Sequence, residues 1–110
     1  MISRRDKVSE LIKEEISKLI ARKETEGLVT VTGIEISPDF RIATVWISVL
    51  GADGGPVIEK LSKNLPEFQS IINKRLTMKV VPRLRFQEDH SQDYVQKIDK
   101  LFRQIKDEGR

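Results

Sequence analysis

Between Phe68 and Gln87 the chain carries five cations, Lys74, Arg75, Lys79, Arg83 and Arg85, and no acidic residue. Closely spaced lysines and arginines of this kind can neutralise phosphates and release the counterions around a nucleic acid, which gives affinity that falls with salt. The plain alternative is a solvated face that happens to lack acids. Arg4, Arg5 and Lys7 form a second basic group near the start, and Lys63 with Asn64 precedes a proline at position 66. Trp46, the sole tryptophan, could stack a nucleobase from a sheet surface or be partly buried under a loop. His90 is the only histidine and stands between Asp89 and Ser91. One histidine among scattered carboxylates supplies neither a zinc ligand set nor a nucleophile and base pair. No glycine-rich phosphate loop or nucleophile elbow occurs either, so no catalytic residue, metal or cofactor is expected.

Three kinds of element must position these groups. Ser3 can cap a helix whose apolar residues Val8, Leu11, Ile12, Ile16, Leu19 and Ile20 recur at three and four. Two β-branched runs follow, residues 28–36 (LVTVTGIEI) and 42–50 (IATVWISVL), joined by the turn formers Ser37, Pro38 and Asp39. They should pair as an antiparallel hairpin. Gly33 inside the first run signals a bulge or a closely packed neighbour. Gly51 to Pro56 reads as a loop, and helical spacing resumes from Val57 with Ile58, Leu61, Leu65, Phe68, Ile72 and Leu76. Residues 77–87 (TMKVVPRLRFQ) then read as a strand with Met78, Val80, Leu84 and Phe86 on one face and Lys79, Val81, Arg83 and Arg85 on the other. Pro82 confines that strand to an edge or a bulge. A last helix should be capped at Ser91, bury Tyr94, Val95, Ile98, Leu101, Phe102 and Ile105, and end at Gly109.

Composition bounds the rest. At 110 residues with 38% hydrophobic and 34% charged content, the chain suits one α+β domain spanning 1–110, with ends near 1–3 and 107–110 flexible. No apolar run approaches the ~20 residues that span a bilayer, and no cysteine is present for disulfides, thiolate chemistry or metal binding. A cytoplasmic monomer with no membrane partner and no small-molecule substrate is expected. Three strands with this many helices should carry the helices on one face and leave the other relatively open. Ala43, Val45, Ile47 and Val49 then point to the core, with Thr44, Trp46 and Ser48 on the open side.

The order helix, strand, strand, broken helix, strand, helix resembles the type II KH-like fold. The stretch from Ser37 to Gly51 is similar to the hairpin signature of the ribosome-binding factor A family. Val81-Pro82-x-Leu84-x-Phe86 is similar to that family's third strand, and Asp89-x-Ser91-x-x-Tyr94 with Ile98 and Leu101 to its last helix. Arg4-x-x-Lys7-Val8 fits its opening, with lysine where arginine is usual. The resemblance implies a non-enzymatic factor that binds the small (30S) ribosomal subunit and its 16S ribosomal RNA, assists late maturation of that RNA, and supports growth in the cold. A general KH-like RNA binder, or a protein interaction module docking through the open sheet, are the alternatives.

A KH module holds single-stranded RNA at a glycine-rich turn between two helices. The family's equivalent is a kink built on alanine, any residue, glycine. Here the corresponding residues are Asn64-Leu65-Pro66, so both small residues are missing. Pro66 offers no amide and Glu67 would repel a phosphate. The proline suits the first position of a second helix, with the break falling between Lys63 and Pro66 and Leu65 outside the helical region.

Overall fold

A computed structural model describes residues 2–91. The expected last helix, from Tyr94 to Gly109, lies outside the described residues. Within them the elements are α1 (Arg4–Ala21), β1 (Leu28–Ile36), β2 (Ile42–Leu50), α2 (Gly54–Ser62), α3 (Leu65–Arg75) and β3 (Arg83–Glu88).

α1 starts where its side chains can satisfy its free amides. The Ser3 hydroxyl accepts from the Asp6 amide at 3.1 Å, and the Asp6 carboxylate accepts from the Ser3 amide at 3.3 Å. Val8, Ile12, Ile16, Leu19 and Ile20 are buried as expected. Leu11 is instead 50% exposed. It lies about 100° round the helix from Ile12, beyond the strip that reaches β1.

The hairpin has the predicted bounds and is antiparallel. Its register shifts between Val31 and Gly33, so Thr32 is an extra residue. The inward residues of β1 show why. Val29 and Val31 face inward opposite Val49 and Ile47, and Ile34 and Ile36 do so opposite Val45 and Ala43. A strand of strict period two cannot put 31 and 34 on one face, and one bulged residue restores the alternation. Nothing lies within 4 Å of the place a Gly33 side chain would start, so close packing is not the reason for this glycine.

β3 pairs with β2 in parallel, Ile42 opposite Arg83 and Val45 opposite Phe86. Parallel neighbours need a crossover, and the broken helix of α2 and α3 provides it. Both helix pieces and α1 cover the same face of the sheet order β1-β2-β3, and the buried residues form one cluster. Phe68 and Phe86 meet edge to face near its centre, their rings 5.6 Å apart. Such a pair adds about 0.5–1.5 kcal/mol beyond its buried area. α1 and α3 run antiparallel, since Lys23 meets Glu67 at one end and Arg75 meets Glu15 at the other.

Several expectations need correction. α2 begins at Gly54 within the expected loop, because the Asp53 carboxylate accepts from the Gly55 amide and Gly54 is small enough to lie against the Glu88 carboxylate. α3 begins at Leu65, so Pro66 is its second residue and Leu65 is helical. Packing of Leu65 on the core outweighs the bias against helix before proline. β3 is six residues long and starts after Pro82. Pro82 has no amide, so the ladder begins with the Arg83 amide donating to the Arg41 carbonyl at 2.8 Å. Gln69 of α3 fastens this start by donating to the Pro82 carbonyl and accepting from the Leu84 amide at 2.8 Å. Residues 77–82 are irregular, Val80 is 59% exposed, and Met78 is only half-buried. Thr44 and Ser48 lie on the outer face yet are buried, and the Arg85 side chain reaches across to the Thr44 hydroxyl.

Two tests follow from the hairpin and its ties. Gly27 has φ of +71°, and a side chain there would strike the Leu50 carbonyl. Gly27→Ala is expected to destabilise the fold by about 1–3 kcal/mol, measured as the shift in urea denaturation. The Thr32 hydroxyl donates to the Asp89 carboxylate at 2.7 Å. Hydrogen bonds from Ser91 and from Thr32 hold that carboxyl below its ordinary range. A depressed folded pKa contributes stability above the unfolded value and loses it as pH falls through the folded one. The stability gap between wild type and Asp89→Asn, read by denaturation, should therefore shrink from neutral pH to about pH 3.

Candidate nucleic-acid interface

The outer face of the sheet is polar and is built in rows. Ile42 lies beside Arg83, Glu35 and Arg85 flank Thr44, and Gly33 and Gln87 flank Trp46. With Leu84 and Phe86 buried, Arg83 and Arg85 must project outward. The Arg85 Nε donates to the Thr44 hydroxyl at 2.9 Å, which fixes the side chain and leaves its outer nitrogens able to donate.

The hairpin turn brings further charge to the same end. The Ser37 hydroxyl accepts from the Arg41 and Ile42 amides, and Asp39 accepts from the Ser37 hydroxyl at 2.7 Å and from the Arg41 amide at 3.1 Å. Those bonds hold the Asp39 carboxyl below its ordinary range, the Ser37 hydroxyl being the largest cause and the Arg41 amide next. Phe40 is forced to φ of +62°, an unusual conformation for a bulky residue. The Arg4 guanidinium lies 5.8 Å from the centre of its ring. Arg5, from the first turn of α1, shares a groove with Arg85. Arg5, Arg83 and Arg85 have no carboxylate within ion-pair distance among the described residues.

The other predicted candidates lie elsewhere. Lys74 and Arg75 end α3, and Arg75 faces Glu15 of α1 at 3.8 Å. Lys79 is exposed in the irregular segment before β3, and Lys7 is exposed on α1. Lys63 closes α2 and Asn64 is half-buried at the start of α3, its amide donating to the Lys60 carbonyl at 3.4 Å. The basic residues contiguous in sequence are thus divided between the end of α3 and the outer face of β3.

Asn64-Leu65-Pro66 stands where α2 gives way to α3. α3 begins without a side-chain cap, Pro66 withholds one of its amides, and Glu67 stands in its first turn. Lys23 is engaged there, 2.9 Å from the Glu67 carboxylate and 5.9 Å from the centre of the Phe68 ring. Trp46 is half-buried, and its indole N–H donates to Glu35 at 3.4 Å. His90 is exposed, with Nδ1 3.5 Å from Glu88, and no group of three or more potential metal-ligating residues occurs among the described residues.

Sequence reasoning missed Arg41 and Glu35. Arg41 closes the hairpin turn, its carbonyl accepting from the Arg83 amide and its guanidinium lying 3.9 Å from the Asp39 carboxylate. Continued alternation from Val29 and Val31 would have turned Glu35 inward, and only the bulge at Thr32 brings it out.

Comparison with known proteins gives this arrangement a context. The chain is 31% identical over 110 residues to the ribosome-binding factor A of Methylobacterium sp. (strain 4-46), covering 94% of this chain and 79% of the relative. The crystal structure of ribosome-binding factor A from Thermus thermophilus superposes with a TM-score of 0.69 at 18% identity, over 78% of this chain and 97% of that one. A Thermus thermophilus ribosome binding factor A fitted into a cryo-EM map of a 30S complex has a TM-score of 0.62 at 21% identity, over 83% and 97% of the two chains. These likenesses agree with the α+β fold described above. The family model for ribosome-binding factor A matches residues 4–102, and this chain belongs to that family.

Proposed function

We propose that this chain binds the small ribosomal subunit during its assembly, contacts 16S ribosomal RNA through its basic surface, and assists late processing of that RNA. It acts by binding rather than catalysis, as a cytoplasmic monomer, and supports growth in the cold. Family membership and the 30S complex of a relative support the subunit as partner. The observation that carries the RNA contact is the set of arginines with no carboxylate within ion-pair distance among the described residues, Arg5, Arg83 and Arg85, held at one end of an outward sheet face by separate elements.

In this reading Arg4, Arg5, Arg83 and Arg85 make the principal contacts to phosphate. Lys74, Arg75 and Lys79 form a second group, with Lys7, Lys63 and Asn64 at its margins. Each phosphate neutralised releases counterions, so affinity declines steeply as salt is raised. The Asn64-Leu65-Pro66 kink contributes shape rather than a phosphate cradle, since it lacks the bare amides that role requires.

Co-sedimentation with purified small subunits tests the reading. Wild type should travel with the subunits at low salt and dissociate as salt rises. Arg83→Glu with Arg85→Glu should weaken binding by about tenfold or more, and the triple reversal of Lys74, Arg75 and Lys79 should weaken it as well. Wild-type protein that stays at the top of the gradient at low salt would sink the reading.

A further inference from the structure

The end of the outer face has a feature that general basicity does not require. A groove of about 440 Å³ runs between the first turn of α1, the hairpin turn and the outer edge of β2 and β3. Arg5, Ser37, Pro38, Thr44 and Arg85 line it, together with one acid, Glu35. The volume lies in the range of sites that take one small organic ligand.

The groups in the groove are placed unequally. Arg85 is tethered by Thr44, so its remaining N–H groups are pre-aimed, and Arg5 supplies a second guanidinium from another element. Two such donors suit the oxygens of one phosphodiester. Glu35 takes a long hydrogen bond from the Trp46 indole and has no cation within ion-pair distance among the described residues. A carboxylate in a phosphate site is repulsive unless it meets a donor on the same ligand. The chemistry therefore calls for a ligand with an anion at one end and a hydroxyl or amino donor at the other. The turn beside the groove is braced by Ser37 and Asp39 and holds Phe40 at positive φ, so this wall is already formed.

We propose that this groove seats one nucleotide of single-stranded RNA, with Arg5 and Arg85 on its phosphate and Glu35 accepting a hydrogen bond from its ribose 2′-hydroxyl. The inference rests on the RNA-binding reading above and adds the place and the means of telling RNA from DNA. The 2′-hydroxyl is the donor that RNA has and DNA lacks. Glu35 penalises any anion that cannot satisfy it, so the acid works as a filter rather than as a source of affinity.

Trp46, the sole tryptophan and a hydrogen-bond partner of Glu35, makes the groove visible by fluorescence. Full-length protein is titrated with a single-stranded RNA hexamer and with the DNA hexamer of the same sequence. Wild type should change its Trp46 emission with RNA and bind it about tenfold tighter than DNA. Arg5→Glu with Arg85→Glu should lose about tenfold or more of RNA affinity. Lys13→Glu with Arg22→Glu, which carries the same charge change at exposed positions on and just after α1, should lose less. Glu35→Ala should bring RNA and DNA affinities together by raising that for DNA. Equal affinity of wild type for the two hexamers, or equal losses in the two double variants, would overturn the groove. Circular dichroism identifies misfolded variants, and in that case Arg5→Gln with Arg85→Gln is judged by the same criteria. If wild type still co-sediments with small subunits while the groove test fails, the groove alone is wrong.

Discussion

Much of the molecule depends on one extra residue in β1. Val29 and Val31 must share a face with Ile34 and Ile36, and a regular strand cannot do this because side chains alternate with period two. Thr32 absorbs the mismatch as a bulge, and Gly33 follows it with open space above. On the inner side, four aliphatic residues then meet Ala43, Val45, Ile47 and Val49 of β2. On the outer side, Glu35 enters the same row as Thr44 and Arg85. Core packing and surface chemistry are thus set by the same bulge. Thr32 also ties to Asp89 beyond β3, so the bulged residue on one edge strand reaches the end of the other.

The second constraint is the parallel alignment of β3. A parallel neighbour must be reached by a crossover, and here the crossover is a helix broken at Asn64. The break lets α2 lie over β2 and β3 while α3 turns to run against α1. Phe68, just after the break, packs against Phe86 and so joins the crossover to the strand it delivers. Gln69 completes the join by bonding to the backbone on both sides of Arg83. These buried contacts hold Arg83 and Arg85 at a fixed register beside β2, and preorganisation of this kind lowers the cost of ordering side chains on binding.

Positive charge is accordingly distributed by geometry rather than by position in the chain. At the kink, Lys23 is already satisfied by Glu67, and the proline removes an amide. At the hairpin end, arginines from α1 and β3 converge with no carboxylate within ion-pair distance among the described residues, and the one acid lining their groove, Glu35, is held by an indole. The contrast moves the expected contact surface away from the interhelical turn typical of KH modules and toward the sheet.

The hairpin bounds, the first cap, the broken helix and the family were legible in the sequence, and the edge position of β3 was legible as one of two options, because each rests on signals carried along the chain: a capping serine, β-branched alternation, a proline. The bulge was legible as one of two options at Gly33. Other features depended on distant contacts. Leu11 belonged to the apolar spacing but lay outside the strip that a neighbour covers, and Val80 fitted an alternation that ends where Pro82 prevents ladder bonding. The sequence by itself determined the first helix, the two hairpin strands and the break in the crossover helix, and that the chain carries a locally acid-free basic run. Only the tertiary structure decided which cations share a surface, because Arg5 and Arg85 are far apart in the chain and line one groove only where α1 packs on the sheet and β3 pairs in parallel with β2, an arrangement that no local preference encodes.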